Sequence, residues 1–111
     1  MKGAYLGELE LLVLIAVLRL GDEAYGISIR REIEAQANRT VAIGSLYATA
    51  ARLERKGLLR TWDSEPEPVR GGRARRYFEL TPAGNRALRQ AAAVLGKMMS
   101  GLDLLPSPGG R

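Results

Sequence analysis

The chemistry open to this chain is set by hydroxyl and guanidinium groups, because the sequence has neither histidine nor cysteine. Without histidine it lacks the usual general base at neutral pH and the commonest metal ligand. Without cysteine it has no disulfide and no thiolate metal site, and a reducing compartment is the expected setting. No enzymatic activity, cofactor or metal is expected. The polar groups that stand out fall in two stretches. In Ile43 to Leu59, a step of about 100° per residue puts Leu46, Ala50 and Leu53 on one helix face. Ser45, Ala48, Ala51, Arg52 and Arg55 lie opposite, with Tyr47 and Thr49 at the flanks. A helix that enters a DNA major groove needs this pattern, with little bulk at its centre and donors around it for phosphates and base edges. An ordinary solvated face looks the same, and this helix alone does not separate the two. The second stretch, Arg70-Gly71-Gly72-Arg73-Ala74-Arg75-Arg76, places four guanidinium groups around two glycines. Glycine removes bulk while arginine reaches, which suits contact with a phosphate backbone.

The charge distribution joins the two stretches. The net charge of the 111 residues is +5, and the segment from Arg39 to Arg76 carries all of it, with nine basic and four acidic residues. The remainder holds eight of each sign and balances. A concentrated excess of this kind is what a polyanion-binding surface requires. The length and a hydrophobic share of 46% indicate one globular domain with a single core. The longest apolar run, Leu11 to Leu18, is far below the ~20 residues that span a bilayer. It follows Glu8 and Glu10 with no cleavage site after it, so neither signal peptide nor anchor is read and a cytoplasmic protein is expected.

The elements that position these groups follow from periodicity and punctuation. Leu6 to Leu20 reads as a first helix with Leu9, Leu12, Val13, Ala16 and Leu20 at helical spacing. Leu11, Leu14, Ile15 and Leu18 make it apolar nearly all round, so it is expected at the centre of the domain, with some surface left for a second subunit. A second helix is predicted from about Tyr25 to Ala37 with Ile29, Ile33 and Ala37 inward, and Tyr25-Gly26 is read as a place of close packing. Thr40-Val41-Ala42 is short and β-prone. Gly44 and Ser45 start the third helix and Gly57 ends it. Leu58 to Glu65 and Arg75 to Leu80 are β-prone runs separated by Glu65-Pro66-Glu67-Pro68 and the two glycines, hence a hairpin with the arginine-rich loop at its tip. Thr81-Pro82 is a strong helix start, a capping hydroxyl before proline at the first helical position.

The last helix is predicted from Pro82 to about Leu102. Leu88, Leu95 and Leu102 recur every seven residues, interleaved with Ala91, Met98 and Leu105, as in a coiled-coil seam. Leu88, Ala91, Leu95, Met98 and Leu102 are therefore the expected contact with a second copy. The alternative is an amphipathic helix lying on its own domain. The resulting fold class is mainly α with a small β-hairpin, a winged helix-turn-helix with an added C-terminal dimerisation helix. Its expected divisions are a DNA-binding domain over 1–81, the dimerisation helix over 82–105 and a disordered tail over 106–111.

The sequence also resembles the PadR-like transcriptional regulators. The resemblance is carried by Leu6 to Leu14, Glu23-Ala24-Tyr25-Gly26, Gly44-Ser45-Leu46-Tyr47, Arg52 to Leu59, Arg70 to Tyr77 and Leu80-Thr81-Pro82-Ala83-Gly84. It implies a winged-helix homodimer that represses transcription from a pseudo-palindromic operator and is released by a small hydrophobic or aromatic effector. Two positions depart from the family pattern. Ala48 stands where proline usually follows the tyrosine, and the last helix has no aromatic residue, the only tryptophan being Trp62 in the first wing strand.

The roles expected from these readings are specific. Ser45 and Thr49 hold phosphates, Tyr47 and Arg52 reach phosphate or base edges, and Ala48 packs on a thymine methyl. Arg70, Arg73, Arg75 and Arg76 grip double-stranded DNA from the wing. The competing reading from another class is a winged-helix module that binds a protein partner without specific DNA binding.

Overall fold

Helix α1 (Glu8–Leu20) is the element on which the others close. A computed structural model of the chain describes residues 6–64 and 75–105, and in it Val13, Leu14, Ala16 and Val17 of α1 are buried. The buried stripe is rotated from the expected one: Leu9, Leu12 and Leu20 are half-buried at its edge, while Leu14 and Val17 are fully inside. An all-apolar helix leaves that choice to its neighbours. After a single 3-10 turn at Gly21–Glu23 come α2 (Gly26–Ala37) and α3 (Ile43–Arg55). Ile29 and Ile33 of α2 and Leu46, Ala50 and Leu53 of α3 complete the core, as their spacing predicts.

No strand forms over 40–42. The Val41 N–H is instead taken by the Glu34 carboxylate at 3.1 Å, which satisfies it within the turn between α2 and α3.

The hairpin pairs β1 (Leu59–Asp63) with β2 (Arg76–Leu80) antiparallel, in the register Leu59↔Leu80 to Asp63↔Arg76. Leu59 and Phe78 face the core. A third, minimal strand joins them, because Tyr25 bridges to Tyr77 and the Phe78 N–H donates to the Ala24 carbonyl at 2.9 Å. The start of α2 is thereby sewn to the wing.

Helix α4 (Pro82–Met99) is anchored at its start. Thr81 accepts the Gly84 N–H at 3.0 Å and donates its own hydroxyl proton to the Gly57 carbonyl at 2.6 Å. Gly84 lies flat on Leu58, where a Cβ would run into the Leu58 carbonyl oxygen and sit 3.0 Å from its carbon. Leu88, one turn on, is also buried. Beyond it the helix leaves the body of the domain, and Val94, Leu95 and Met98 are exposed.

Two expectations about α4 change. Leu88 belongs to the chain's own core, at 8% exposure, because it follows Gly84 by one turn on the docked face. Leu102 lies past the helix end, since Ser100 leaves the helical conformation and Gly101 adopts a left-handed φ of 82°. The expected divide at residue 82 falls where α4 is most firmly docked. The tail expected over 106–111 lies outside the described residues.

The Gly84–Leu58 contact is backbone against backbone, so neither side can rotate away. Gly84→Ala is predicted to destabilise the fold by about 1–3 kcal/mol. Thr81→Ala, which removes both the cap and the bond to Gly57, should cost about 1 kcal/mol or somewhat more. Urea unfolding midpoints of the two variants check both values.

Candidate nucleic-acid interface

The outward side of α3 carries Ser45, Tyr47, Ala48, Arg52 and Arg55, all exposed. Ser45 and Ala48 keep its centre low. Ala42, at the helix start, supplies no side-chain cap. Tyr47 is held rather than free to swing. Its hydroxyl lies over Gly26, where a Cβ would collide with that oxygen and come within 2.6 Å of Cζ. The close approach read at Tyr25-Gly26 is thus packing, with the consequence that the first turn of α2 aims the Tyr47 ring.

Thr49 does not belong to this surface. It is 2% exposed, and its Oγ1 accepts a hydrogen bond from Arg52 Nη2 at 3.3 Å. The reason is angular: Thr49 stands three residues after Leu46 and four before Leu53, so it falls at the edge of the buried stripe. Its hydroxyl steadies an arginine and is not available to a phosphate.

A buried carboxylate joins α1 to the C-terminal half of α3. Glu10 accepts the Gly7 N–H at 2.9 Å, Lys56 Nζ at 2.9 and 3.2 Å, and Arg52 Nε at 3.4 Å. Its side chain is 7% exposed, whereas those of Lys56 and Arg52 are 34% and 49% exposed. Burial pushes the Glu10 carboxyl up, but the Gly7 N–H and the two cations outweigh it and leave the group below its ordinary value of 4.5. Arg52, expected to read DNA, is therefore partly engaged from within. Glu10 is the residue that sequence reasoning missed. The signal was there, because positions 10, 13, 14 and 17 follow helical spacing and a lone acid on that stripe requires a partner.

The wing contributes a second set. Arg76 Nε donates to Asp63 at 3.1 Å across the hairpin, and Asp63 raises the pKa of the guanidinium above its ordinary value. The base of the wing is linked to α3 through the start of α2, because Tyr25 bridges to Tyr77 while the Tyr47 hydroxyl lies against the next residue, Gly26. Arg76 is thus committed to a cross-strand pair, with its side chain 54% exposed. The Arg75 guanidinium lies 4.4 Å from the centre of the Tyr25 ring. Tyr25 meets Tyr77 edge-on at 5.5 Å, and Tyr77 stacks with Trp62 at 5.8 Å. This row of rings stiffens the wing base and presents Arg75 from it. Arg70 and Arg73 lie outside the described residues.

Arg55 shares the outer face of α3, as the helical spacing predicts. It is exposed in the last turn of α3 and forms no hydrogen bond or ion pair with a described residue. Of the cations on this helix it is the one most available to an external anion. Among the described residues, no group of three potential metal-ligating side chains comes together. No helix among them is long and apolar enough to cross a membrane.

Because the folded Glu10 pKa is lowered, its contribution to stability is present at neutral pH, above the unfolded value, and is lost as pH falls through the folded one. Glu10→Ala should cost about 1–3 kcal/mol at pH 7. The gap between wild type and variant should narrow as pH drops below about 4.5. Thermal unfolding of both proteins across that range measures it.

Comparison with known proteins agrees with this geometry. The family model described as the transcriptional regulator PadR-like family matches residues 14–90. The transcriptional regulator Rv3488 of Mycobacterium tuberculosis is 36% identical over 77 residues, covering 69% of this chain and 67% of that protein. A PadR family transcription regulator from Clostridium difficile superposes with a TM-score of 0.65 at 26% identity, over 84% of this chain and 95% of the other. A PadR-like transcription factor from Bacteroides fragilis gives 0.65 at 27% identity, over 81% and 84%. The chain belongs to the PadR-like family of transcriptional regulators, a family of regulators rather than enzymes.

Proposed function

We propose that the chain acts as a homodimeric repressor that binds a pseudo-palindromic operator through α3 and the wing. The observation that carries this is the run of contacts from α3 to the wing, in which Tyr47 lies against Gly26, Tyr25 bridges to Tyr77 and the Arg75 guanidinium lies over the Tyr25 ring. Ser45 and the uncapped start of α3 face phosphates, and Ala48 and Tyr47 face base edges. Arg55 and Arg75 supply charge from the two flanks, with Arg76 and Arg52 contributing what their internal partners leave free. Arg70 and Arg73 extend the wing's grip by virtue of their place in the sequence. Each element then takes the groove or backbone position that a winged helix offers it.

Dimerisation in this proposal uses the distal half of α4. Leu95 and Met98 are 49% and 73% exposed, Ala91 is half-buried at the edge of the docked turns, and Val94 and Leu102 are exposed nearby. Ile15 and Leu18 of α1, which α4 touches, are exposed as well. Apolar surface on this scale is uncommon on a soluble monomer and is accounted for by a second copy. Release by a small hydrophobic or aromatic effector belongs to the same proposal. A cleft among α1, the hairpin and α4, where Val17, Leu18, Trp62 and Phe78 stand beside Asp22, Glu79 and Asn85, is the place in this proposal for such a molecule.

A gel shift with the gene's own upstream DNA tests the proposal. A shift that survives excess competitor DNA supports it, and retardation that the competitor abolishes completely overturns it in favour of a protein-binding module. Arg55→Ala should lower the slope of log affinity against log salt by about one unit. A variant carrying Leu95→Glu and Met98→Glu should sediment as a monomer and show about half the wild-type slope, because each copy brings half of the phosphate contacts.

A further inference from the structure

We infer that Glu10 is an internal competitor of the DNA backbone, holding Lys56 and Arg52 back from phosphates and so limiting sequence-independent binding by α3. The inference rests on the DNA-binding reading above and adds a control within it.

The geometry is that of a phosphate site already filled. A phosphate on a protein surface is recognised by backbone N–H groups and by lysine and arginine side chains. The Glu10 carboxylate collects this same set: the Gly7 N–H at 2.9 Å, the Lys56 ammonium at 2.9 Å and the Arg52 Nε at 3.4 Å. The anion is covered while both cations stay partly open to solvent, so the cations face outward with their charge already met from behind. Charge-assisted bonds to a carboxylate are about twice as strong as neutral ones. The Lys56 bonds are short and double, so its ammonium is the more firmly held. Arg52 has a second tie through Nη2 to the buried Thr49, which fixes the plane of its guanidinium.

The consequence is a subtraction from non-specific affinity. Binding strength that does not depend on sequence scales with the number of phosphates neutralised, each contributing about 0.9 to the salt slope. Two cations at the end of the reading helix would add two such contacts at every DNA site, right or wrong. One buried anion shared between them removes much of that contribution. Discrimination is then left to Tyr47 and Ala48, which are not tied to Glu10. Glu10 is a positioning residue in this account, since it acts through the cations.

Glu10→Gln is the direct test, because the amide oxygen can still accept the Gly7 N–H while the charge is gone. On random-sequence duplex DNA the folded variant should bind more tightly than wild type, with a salt slope steeper by about one to two units. A merely structural role for Glu10 would leave the slope unmoved or lower it, and that result overturns the inference. Lys56→Gln is a second test that does not depend on the first variant folding. With its ammonium already spent on Glu10, its loss should leave the wild-type slope within about half a unit, whereas a drop of about one unit would place Lys56 on a phosphate and overturn the inference. Wild-type protein that shows steep salt dependence beside an unmoved Glu10→Gln refutes this inference alone. Wild-type protein that binds no DNA removes the DNA-binding reading and the inference together.

Discussion

The buried Glu10 carboxylate is the interaction on which the presentation of α3 depends. A charge inside a small core is tolerated only when its partners are complete. Here they come from the start of α1, through the Gly7 N–H, and from the far end of α3, through Arg52 and Lys56. The apolar contacts of Leu46, Ala50 and Leu53 hold α3 against the core but are non-directional. The ionic tie fixes its rotation and its axial position. The outer residues of α3 therefore inherit a definite orientation from a buried residue on another helix.

A second frame acts at the other end of the surface. Ala24 and Tyr25 pair with β2 while Gly26 receives the Tyr47 ring, so the start of α2 connects the wing to α3. Gly84 on Leu58 ties α4 to the turn that follows α3. These are contacts at glycine, where a single added methyl group would meet an occupied position. The elements of the proposed interface and α4 are each located by one such approach or pair, with the core supplying the bulk of the stability.

Much of this was legible in the sequence because it depends on local signals. The helices follow from apolar periodicity, the start of α4 from Thr81-Pro82, and the hairpin from two β-prone runs around prolines and glycines. What was not legible depends on partners far apart in the chain. The Asp63–Arg76 pair needs the strand register, and the Glu10 cluster needs the α1–α3 crossing. The hydroxyl of Thr49 suggests an external role, although its position between Leu46 and Leu53 puts it inward. The seven-residue repeat continues through Leu102, yet Gly101 ends the helical path before it. Leu88 carries the first position of the same repeat and is claimed by the domain's own core. A sequence repeat marks an apolar face without saying which neighbour covers it.

The central claim is that two copies of α3, held in register by the dimer, read a symmetric DNA site. Selection of bound sequences from a random duplex pool by the purified wild-type protein tests this most directly. The account predicts enrichment of an inverted repeat whose half-site centres lie about one helical turn apart, roughly 34 Å. Enrichment of an isolated half-site would contradict the dimer, and a pool that emerges unenriched after repeated rounds would contradict sequence-specific reading by α3.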